Sequence, residues 1–276
     1  MNVQELVTMA LQEDIPNGDL TTEALNCENN SGRAALIAKQ NLILSGSELF
    51  SETFRQIDSK IKIDWSYGNG DEVPNKSSIC QVEGSLGGLL RGERTALNFL
   101  GHLSGIATLT ARFVQKTKGT NAKITDTRKT IPGLRLIEKK AVKDGGGVNH
   151  RLNLSDAILV KENHIRAVGS ITKAVNKMRV KWPKMPIEVE VTSEAELDEC
   201  LTLKVERVLL DNMSLDDMAR AAKKANNCCL LEASGNMTLD RIESVAKLGV
   251  DFISVGALTH SAPNADVSFI FNTEMK

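Results

Sequence analysis

The sequence has few aromatic residues and few cysteines. Aromatic residues occupy 4% of its 276 positions, only one of them a tyrosine, and the formal net charge is -1. Proteins that bind nucleic acid usually offer a broad basic face or a row of stacking rings, so this composition argues against nucleic acid as a partner. The five cysteines form no CxxC pair and no metal-ligand spacing. We therefore expect reduced, mostly buried thiols in a reducing compartment.

Long apolar runs are also missing. Residues 1–14 lack the basic start and continuous apolar centre of a secretion signal, and neither terminus carries a segment long enough to span a membrane. We expect a soluble, cytoplasmic protein that does not associate with membranes. Hydrophobic residues make up 41% of the chain and charged residues 25%, which is ample for a packed core. The length predicts two domains or one large barrel.

The pattern of predicted elements changes near residue 120. Before it, extended segments at 33–44, 61–67 and 77–84 alternate with turn-rich pieces, as is typical of a mixed α+β unit, and a helical stretch covers 91–118. After it, strand and helix patterns alternate at a spacing of roughly 20 to 30 residues, which favours parallel βα units. The predicted strands are 123–127, 157–161, 187–191, 207–211, 229–233 and 252–255. Six such units predict an α/β barrel, or a barrel that lacks a strand.

Polar residues recur at the carboxyl ends of these strands, where the active sites of such barrels form. They are Asp126, Thr127 and Arg128, then Lys161, then Glu188 and Glu190, then Asp211 and Asn212, and finally Glu232 to Gly235. A charge within an apolar strand is costly unless it is paired or faces a ligand, which favours Lys161, Glu188 and Glu190 as site residues. The alternative is an internal network of Lys–Glu ion pairs that only supports the barrel.

Positive charge accumulates between residues 126 and 164. Three groups carry it: Arg128 with Lys129, His150 with Arg151, and Lys161 with His164. In a chain of near-zero net charge, such a local cluster suits a small ligand with several negative charges. Glycines at 145–147 and 235, and the segment 256–259, are typical of loops that let backbone N–H groups approach a phosphate, although one glycine alone could simply end a helix.

The segments DTRKT, GGGVNHR, VKENHI, EVEV, LLDNM, LEASG and SVGALTHS, in this order, resemble the quinolinate phosphoribosyltransferase family. GDLTT at 18–22 and GERTALNFLGHLSGIAT at 92–108 resemble the amino-terminal half of that family, so the resemblance covers nearly the whole chain. A related barrel family associated with molybdenum transport shares the RKTIPG element but lacks the NHR and VKENH signatures. One departure is Asn236, where many relatives have a second glycine. Asn tolerates positive φ, so we expect the phosphate loop to survive this change.

The resemblance implies an incomplete, open α/β barrel with an N-terminal α/β sandwich domain. The sandwich would cover 1–115, the barrel 116–266, and a tail at 267–276 would return to the sandwich. The implied reaction joins quinolinate and phosphoribosyl pyrophosphate with magnesium to give nicotinate mononucleotide, pyrophosphate and carbon dioxide, a step in NAD biosynthesis. The implied assembly is a homodimer with shared active sites, or a hexamer.

The resemblance also assigns roles to individual residues. The quinolinate pocket would comprise Arg128, His150, Arg151 and Lys161, with Thr127 and Lys129 beside them and Arg94 entering from the partner subunit. Glu190 and Asp211 would hold the ribose hydroxyls and the magnesium ion. The 5′-phosphate would lie among Ser234, Gly235, Asn236, Gly256, Ala257 and Leu258, with help from His260 and Ser261. Lys129, Lys161, Glu190 and Asp211 would be the catalytic residues, acting through binding and electrostatics rather than through a covalent nucleophile.

Two other classes of protein remain as alternatives. A Schiff-base aldolase would also place a lysine such as Lys161 at a barrel strand end, but it would not need Arg94, Arg128 and Arg151 around it. A non-catalytic phosphosugar-binding protein would keep the glycine loops and could dispense with Glu190 and Asp211. The presence of both carboxylates favours an enzyme.

Overall fold

The structure is a computed structural model that describes residues 2–28 and 30–271. Its helices are α1 (Val3–Asp14), α2 (Leu20–Leu25), α3 (Ser47–Ile57), α4 (Leu86–Gln115), α5 (Arg135–Asp144), α6 (Glu162–Val168), α7 (Ile171–Lys181), α8 (Glu194–Thr202), α9 (Leu215–Ala225), α10 (Leu239–Ala246) and α11 (Ala257–His260). Its strands are β1 (Ser31–Ala38), β2 (Leu42–Ile43), β3 (Lys62–Trp65), β4 (Glu72–Val73), β5 (Ser78–Ser85), β6 (Lys123–Thr125), β7 (Ile158–Val160), β8 (Ile187–Val191), β9 (Arg207–Asp211), β10 (Leu230–Ser234), β11 (Phe252–Ser254) and β12 (Val267–Phe271).

The chain divides into two compact units. The first consists of the described parts of Met1–Ala111, Pro132–Gly146 and Ala262–Lys276, and the second of Arg112–Ile131 and Gly147–Ser261. The predicted domain boundary between residues 115 and 116 stays a prediction. Within the described residues, no helix combines the length and the apolar composition that a bilayer-crossing segment requires.

The first unit contains an antiparallel sheet with the strand order β12-β1-β5-β3. β12 pairs with β1 from Ala34 opposite Phe271 to Ala38 opposite Val267, while residues 272–276 of the predicted tail lie outside the described residues. Helix α3 buries Leu49, Phe50 and Phe54 in the core beside this sheet because these apolar residues recur at helical spacing.

Helix α4 begins five residues before the helix predicted at 91–118. Gly87 and Gly88 at its start have low intrinsic helix propensity, so the sequence pattern predicted that the helix begins later. A Cβ atom added to Gly87 would lie 2.9 Å from the Cα of Glu28, so close packing against the neighbouring segment requires glycine there. Tertiary contact therefore overrides the local preference.

The second unit contains six parallel strands in the order β6-β11-β10-β9-β8-β7. All six predicted strands are present, and their ends differ from the prediction by at most two residues. The edges β6 and β7 are not hydrogen-bonded to each other among the described residues, so the predicted open α/β barrel is confirmed. Ser170, Ser193 and Ser214 cap α7, α8 and α9 by accepting backbone N–H groups, which fixes where these helices start after their strands.

Candidate active site

An open cavity of about 890 Å³ lies at the carboxyl ends of the parallel strands. All the residues that line it belong to the second unit. Those that the sequence predicted are Thr127, Arg128, Lys129, His150, Arg151, Lys161, Glu190, Asp211, Ser234, Gly235, Asn236, Gly256, Ala257 and His260. Because parallel strands deliver their last residues to one edge, segments that are far apart in the sequence meet here.

Two guanidinium groups share one side of this cavity. Burial lowers the pKa of Arg151, and the positive charge of Arg128 lowers it further. The Arg151 side chain is anchored by one hydrogen bond, from Nη1 to the carbonyl of Ala157 at 2.9 Å. The buried Nε of Arg128 has no hydrogen-bond partner among the described residues. Two partly desolvated cations of like charge favour a ligand that brings compensating negative charge.

A lysine and two carboxylates occupy the ends of β7, β8 and β9. The Nζ atom of Lys161 lies 2.7 Å from Oε2 of Glu190, and the Lys161 side chain is 47% exposed. Asp211 accepts a hydrogen bond from the side chain of its neighbour Asn212 at 2.7 Å. The ion-pair alternative raised by the sequence is thus real for Lys161 and Glu190. Their pair nevertheless faces an open cavity rather than the barrel core.

The loop after β10 has the backbone conformation expected of a phosphate loop. Gly235 has φ 90° and Asn236 has φ 49°, so the asparagine adopts the left-handed conformation that the sequence led us to expect of it. The side-chain amide of Asn236 donates to Oδ1 of Asn212 at 3.3 Å. A Cβ atom on Gly235 would lie 2.1 Å from that same oxygen. Glycine is therefore required at 235 by both φ and space.

Charged residues at the cavity wall and beneath it form a buried cluster, of which Glu232 and Ser254 line the cavity. Arg207 contacts Glu188 through Nε at 3.2 Å and Glu232 through Nη2, and Glu232 also accepts from the hydroxyl of Ser254. Nε2 of His150 lies 3.0 Å from Glu188 and 3.5 Å from Glu232. The sequence singled out Glu188 and Glu232 as polar residues of strands, but it did not identify Arg207 or Ser254 as their partners.

The two carboxyl groups of this cluster differ in pKa. Burial raises the pKa of Glu188, but the hydrogen bond from His150 and the charge of Arg207 outweigh burial and leave it lowered. Burial and the nearby charge of Glu188 hold the pKa of Glu232 well above its ordinary value of 4.5. The two adjacent buried carboxyl groups therefore have opposite pKa shifts, because two buried anions repel each other.

Two histidines of the predicted cationic segment bind neighbouring backbone groups. Nδ1 of His150 accepts the backbone N–H of Arg151 at 2.8 Å, and Nδ1 of His164 accepts that of Lys161 at 3.0 Å. The second bond joins His164 to the N-cap of α6, and His150 lines the cavity.

Four predicted site residues do not line the cavity: Arg94, Glu188, Leu258 and Ser261. Arg94 is exposed on α4 in the first unit, and Leu258 is fully buried. The backbone N–H of Leu258 donates to the carbonyl of Val255 at 3.4 Å, so it is already engaged within the chain. The sequence also missed several lining residues because they carry no distinctive motif: Leu159, Leu209, Met237, Thr238 and Ser254.

Only one of two acidic groups suits a metal ion. His150, Glu188 and Glu232 offer ligand atoms within 4.8 Å of one another, but the guanidinium of Arg207 already contacts both carboxylates. Glu190 and Asp211 instead present carboxylates to the open cavity. Magnesium is usually held by one or two carboxylates, substrate phosphates and water, so this second pair fits it.

Comparison with known proteins gives a uniform result. Residues 19–104 match the N-terminal domain and residues 106–270 the C-terminal domain of quinolinate phosphoribosyl transferase. The chain is 43% identical over 262 residues to a protein of Synechocystis sp. named probable nicotinate-nucleotide pyrophosphorylase (carboxylating), with 94% of this chain and 88% of that protein covered. It is 37% identical to a protein of Mycobacterium leprae named nicotinate-nucleotide pyrophosphorylase (carboxylating), at 96% and 95% coverage.

Solved structures agree with these relatives. The structure of the nicotinate-nucleotide pyrophosphorylase from Francisella tularensis matches with a TM-score of 0.95 and 42% sequence identity, covering 98% of this chain and 96% of that one. The nicotinate-nucleotide pyrophosphorylase from Ehrlichia chaffeensis matches with a TM-score of 0.95 and 35% identity, covering 99% of each chain. The similarity therefore extends over both units.

Proposed function

The chain belongs to the quinolinate phosphoribosyltransferase family, and on this basis we propose that its cavity transfers a phosphoribosyl group from phosphoribosyl pyrophosphate to quinolinate. The products are nicotinate mononucleotide, pyrophosphate and carbon dioxide, and the reaction is a step in NAD biosynthesis. The observation that carries the proposal is one cavity that joins Arg128, Arg151 and Lys161 to the carboxylates of Glu190 and Asp211. The cationic side chains would bind the two carboxylates of quinolinate, and the acidic side chains would accept hydrogen bonds from the ribose hydroxyls of the donor.

Quinolinate carries two carboxylates on adjacent ring carbons. A guanidinium grips a carboxylate with two parallel charge-assisted hydrogen bonds, and Arg128 and Arg151 offer two such groups on one side of the cavity. Lys161 adds a point charge at the end of β7. Burial and, to a smaller extent, the charge of Arg128 lower the pKa of Arg151, and a dianion between the two guanidinium groups would offset both effects.

The phosphoribosyl donor needs a phosphate site and a ribose site. The loop at Ser234 to Asn236 and the turn at Gly256 and Ala257 would surround the 5′-phosphate with backbone N–H groups. Glu190 and Asp211 would accept hydrogen bonds from the ribose hydroxyls. Magnesium held by the same two carboxylates would supply positive charge next to the pyrophosphate.

Transfer starts when the pyridine nitrogen attacks the anomeric carbon of ribose and pyrophosphate departs. The sugar then passes through an oxocarbenium-like state, and the nearby carboxylates of Glu190 and Asp211 stabilise its positive charge. No covalent bond to the protein is needed. Holding both reactants in line lowers the activation barrier for attack of the pyridine nitrogen on the anomeric carbon. Lys161 and Lys129 would balance the negative charge of the reactants.

Loss of carbon dioxide follows from the charge created by transfer. The ring nitrogen of the mononucleotide intermediate is positive, and the carboxylate on the adjacent carbon leaves as carbon dioxide. The electron pair remains on that carbon, where the neighbouring positive nitrogen stabilises it until a proton is added. Arg128 and Arg151 would keep the second carboxylate, the one that the product retains, in place.

The test is an assay with purified protein, quinolinate, phosphoribosyl pyrophosphate and magnesium that follows nicotinate mononucleotide and carbon dioxide together. We expect equal amounts of both, and none when either substrate is omitted. Release of neither product, with the donor still bound in calorimetry, would contradict quinolinate as the acceptor. Nicotinate and related pyridine or pyrimidine acids would then be the next acceptors to try.

The aldolase alternative has a separate test. Lys161 is paired with Glu190 at 2.7 Å, an arrangement that favours a protonated ammonium group over a nucleophilic amine. Borohydride added during turnover should therefore trap no adduct on the protein. A stable adduct on Lys161, located by mass spectrometry, would support Schiff-base chemistry instead.

We also propose a homodimer, or a hexamer built from dimers, in which Arg94 completes the site of the partner subunit. Arg94 is exposed on α4 and does not line the cavity of its own chain. Arg94→Ala and Lys161→Ala should each be inactive alone, and mixing them should restore activity through hybrid sites. Mixed dimers that form without regaining activity would contradict the shared site. The cytoplasmic localisation expected from the sequence stays a prediction.

A further inference from the structure

Asn212, the residue after β9, lines the cavity but has no role in the proposed reaction. Its backbone has φ 55°, a left-handed conformation that is uncommon outside glycine and that asparagine tolerates better than most residues. Backbone of this kind costs free energy and is often retained at binding sites for a functional reason. The contacts of the Asn212 side chain indicate such a reason.

Asn212 is attached to the phosphate loop, residues 234–236, at three points. Its backbone N–H donates to the carbonyl of Ser234 at 3.0 Å. Its side-chain oxygen Oδ1 accepts from the amide nitrogen of Asn236 at 3.3 Å. The same side chain lies against Gly235, where an added Cβ atom would come within 2.5 Å of Cγ of Asn212. Both the backbone and the side chain of Asn212 therefore hold it to this loop.

The other end of the Asn212 amide contacts a carboxyl group of the proposed ribose site. Nδ2 of Asn212 donates to Oδ2 of Asp211 at 2.7 Å. An amide nitrogen only donates and an amide oxygen only accepts, so the two hydrogen bonds of this amide require the same orientation. If the amide turned over, its oxygen would face the carboxyl oxygen of Asp211 and its nitrogen would face the NH₂ group of Asn236. Both bonds would then be lost together.

We propose that Asn212 is a positioning residue that holds the carboxyl group of Asp211 at a fixed distance from the phosphate loop. Asn236 acts through it, because its NH₂ group fixes the direction in which the Asn212 amide points. The inference rests on the proposed function, in which Asp211 binds the ribose hydroxyls and the loop binds the 5′-phosphate of the same sugar. A site whose two ends already keep their spacing binds that sugar without having to order them first.

An arginine on α10 supports the same two turns. Nη2 of Arg241 donates to the carbonyl of Met213 at 2.6 Å, and Nη1 donates to the carbonyl of Gly235 at 3.4 Å. Met213 follows Asn212 in the turn after β9, and Gly235 lies in the turn after β10. The two turns are therefore joined twice, by Asn212 in the cavity lining and by Arg241 from the helix.

Glycine substitutions test the two asparagine side chains without adding backbone strain, since glycine adopts positive φ freely. Asn212→Gly removes both hydrogen bonds of its amide. Asn236→Gly removes only the bond between the two asparagines and keeps the backbone N–H that the 5′-phosphate would use. Asn226→Gly is the matched control, because exposed Asn226 also has positive φ, 41°, and ends α9 outside the cavity lining.

Calorimetry with phosphoribosyl pyrophosphate measures these effects without turnover. We expect its Kd to rise about tenfold in Asn212→Gly and about threefold in Asn236→Gly, since single hydrogen bonds have this weight. Asn226→Gly should bind like the wild type. In the double variant the rise should equal that of Asn212→Gly alone, because Asn236 acts only through Asn212. Effects that multiply to about thirtyfold, as independent sites would give, or an unchanged Kd in Asn212→Gly, would overturn the proposal.

A measurement on the ligand-free protein decides the matter even if the wild type does not bind the donor. Nitrogen-15 labelling of asparagine gives side-chain NH₂ signals, and those of Asn212 and Asn226 are assigned by their loss in the glycine variants. We expect the NH₂ group of Asn212 to be rigid on the picosecond to nanosecond timescale and that of exposed Asn226 to be mobile. Equal mobility of the two groups would overturn the proposal. A rigid Asn212 in a protein that does not turn over quinolinate would contradict the proposed function alone.

Discussion

The main sheets of the two units differ in the residues that pack on them. The core beside the antiparallel sheet of the first unit is apolar and rich in rings: Phe50 lies 5.1 Å from Phe54 and 5.4 Å from Trp65, measured between ring centres, and Phe54 lies 5.7 Å from Phe269. The sheet of the second unit instead encloses charged residues as well as apolar ones. Most of the aromatic residues of this chain thus lie in or beside the apolar core that packs on the antiparallel sheet.

An apolar core and a buried charged cluster respond differently to amino-acid substitution. An apolar core tolerates exchange at constant volume, because dispersion and burial have no preferred direction. The cluster of Glu188, Arg207 and Glu232 depends on each partner, since removing one leaves another charge buried and unpaired. Substitutions in the apolar core beside the first unit's sheet should therefore change stability, and those at the cavity of the second unit should change activity.

The largest expected effect belongs to the apolar core. Phe54→Ala should lower the free energy of unfolding by about 3 to 5 kcal/mol, because the fully buried ring leaves a cavity. Trp182→Ala, at a site that is 51% exposed, is the control and should cost under about 1 kcal/mol. Urea unfolding measures both. A KM for quinolinate that rises in folded Phe54→Ala protein would contradict the separation of roles.

Lys161→Ala should reduce kcat/KM at least about a hundredfold, a loss of about 2.7 kcal/mol in transition-state stabilisation. The change removes a cation from the cavity and leaves Glu190 without its partner. Lys177→Ala, at an exposed position of α7, is the matched control and should retain wild-type kinetics. If both variants unfold at the same urea concentration as the wild type, the effect is confined to the site. Near-normal kcat/KM in Lys161→Ala would remove Lys161 from the catalytic set.

Gly235→Ala should raise the KM for the phosphoribosyl donor by about tenfold, since the loop must move to admit a Cβ atom. The added carbon would lie 2.1 Å from Oδ1 of Asn212 and would strain a residue with φ 90°. Gly249→Ala is the control that adds backbone strain without a steric clash. Gly249 has a similar φ of 88°, and no atom lies within 4 Å of the added carbon. The two variants should lose similar stability, and only Gly235→Ala should lose donor affinity. A matching loss of affinity in Gly249→Ala would show that backbone strain alone explains it.

Glu232→Gln should change the pH dependence of stability. The pKa of Glu232 is raised in the folded protein, so between its ordinary value of 4.5 and the raised value the folded state binds a proton that the unfolded state has lost. Stability then falls as pH rises, by at most about 1.4 kcal/mol per pH unit from this group. Glutamine cannot ionise, so the variant should lose less stability between about pH 5 and 7. Identical slopes in urea unfolding across this range would contradict the raised pKa.

Local sequence patterns predicted most of the fold. The strands at 187–191 and 207–211 have the predicted bounds because continuous apolar residues and flanking turns mark them. The strand predicted at 229–233 starts one residue later, after a turn in which Asn226 and Asn227 have positive φ. The start of α4 was missed because glycine propensity pointed to a later position, whereas packing against Glu28 favours an earlier one.

The predicted lining of the cavity followed from chain order, because polar residues at the ends of parallel strands must meet at one edge. Arg128, Lys161 and Glu190 were found in this way. Arg207 was not found, because its partners Glu188 and Glu232 lie on neighbouring strands, 19 and 25 positions away along the chain. No local pattern encodes contacts of that kind.

The sequence by itself determined the order of the six βα units and the strand ends that carry the polar residues, because periodicity and chain order are local properties. The open form of the barrel was implied by the family resemblance. Only the tertiary structure decided that Arg207 balances Glu188 and Glu232, that these two carboxyl groups have opposite pKa shifts, and that Nδ1 of His150 accepts the backbone N–H of Arg151. These properties depend on distances and burial among residues from different strands, and they exist only once the strands have assembled.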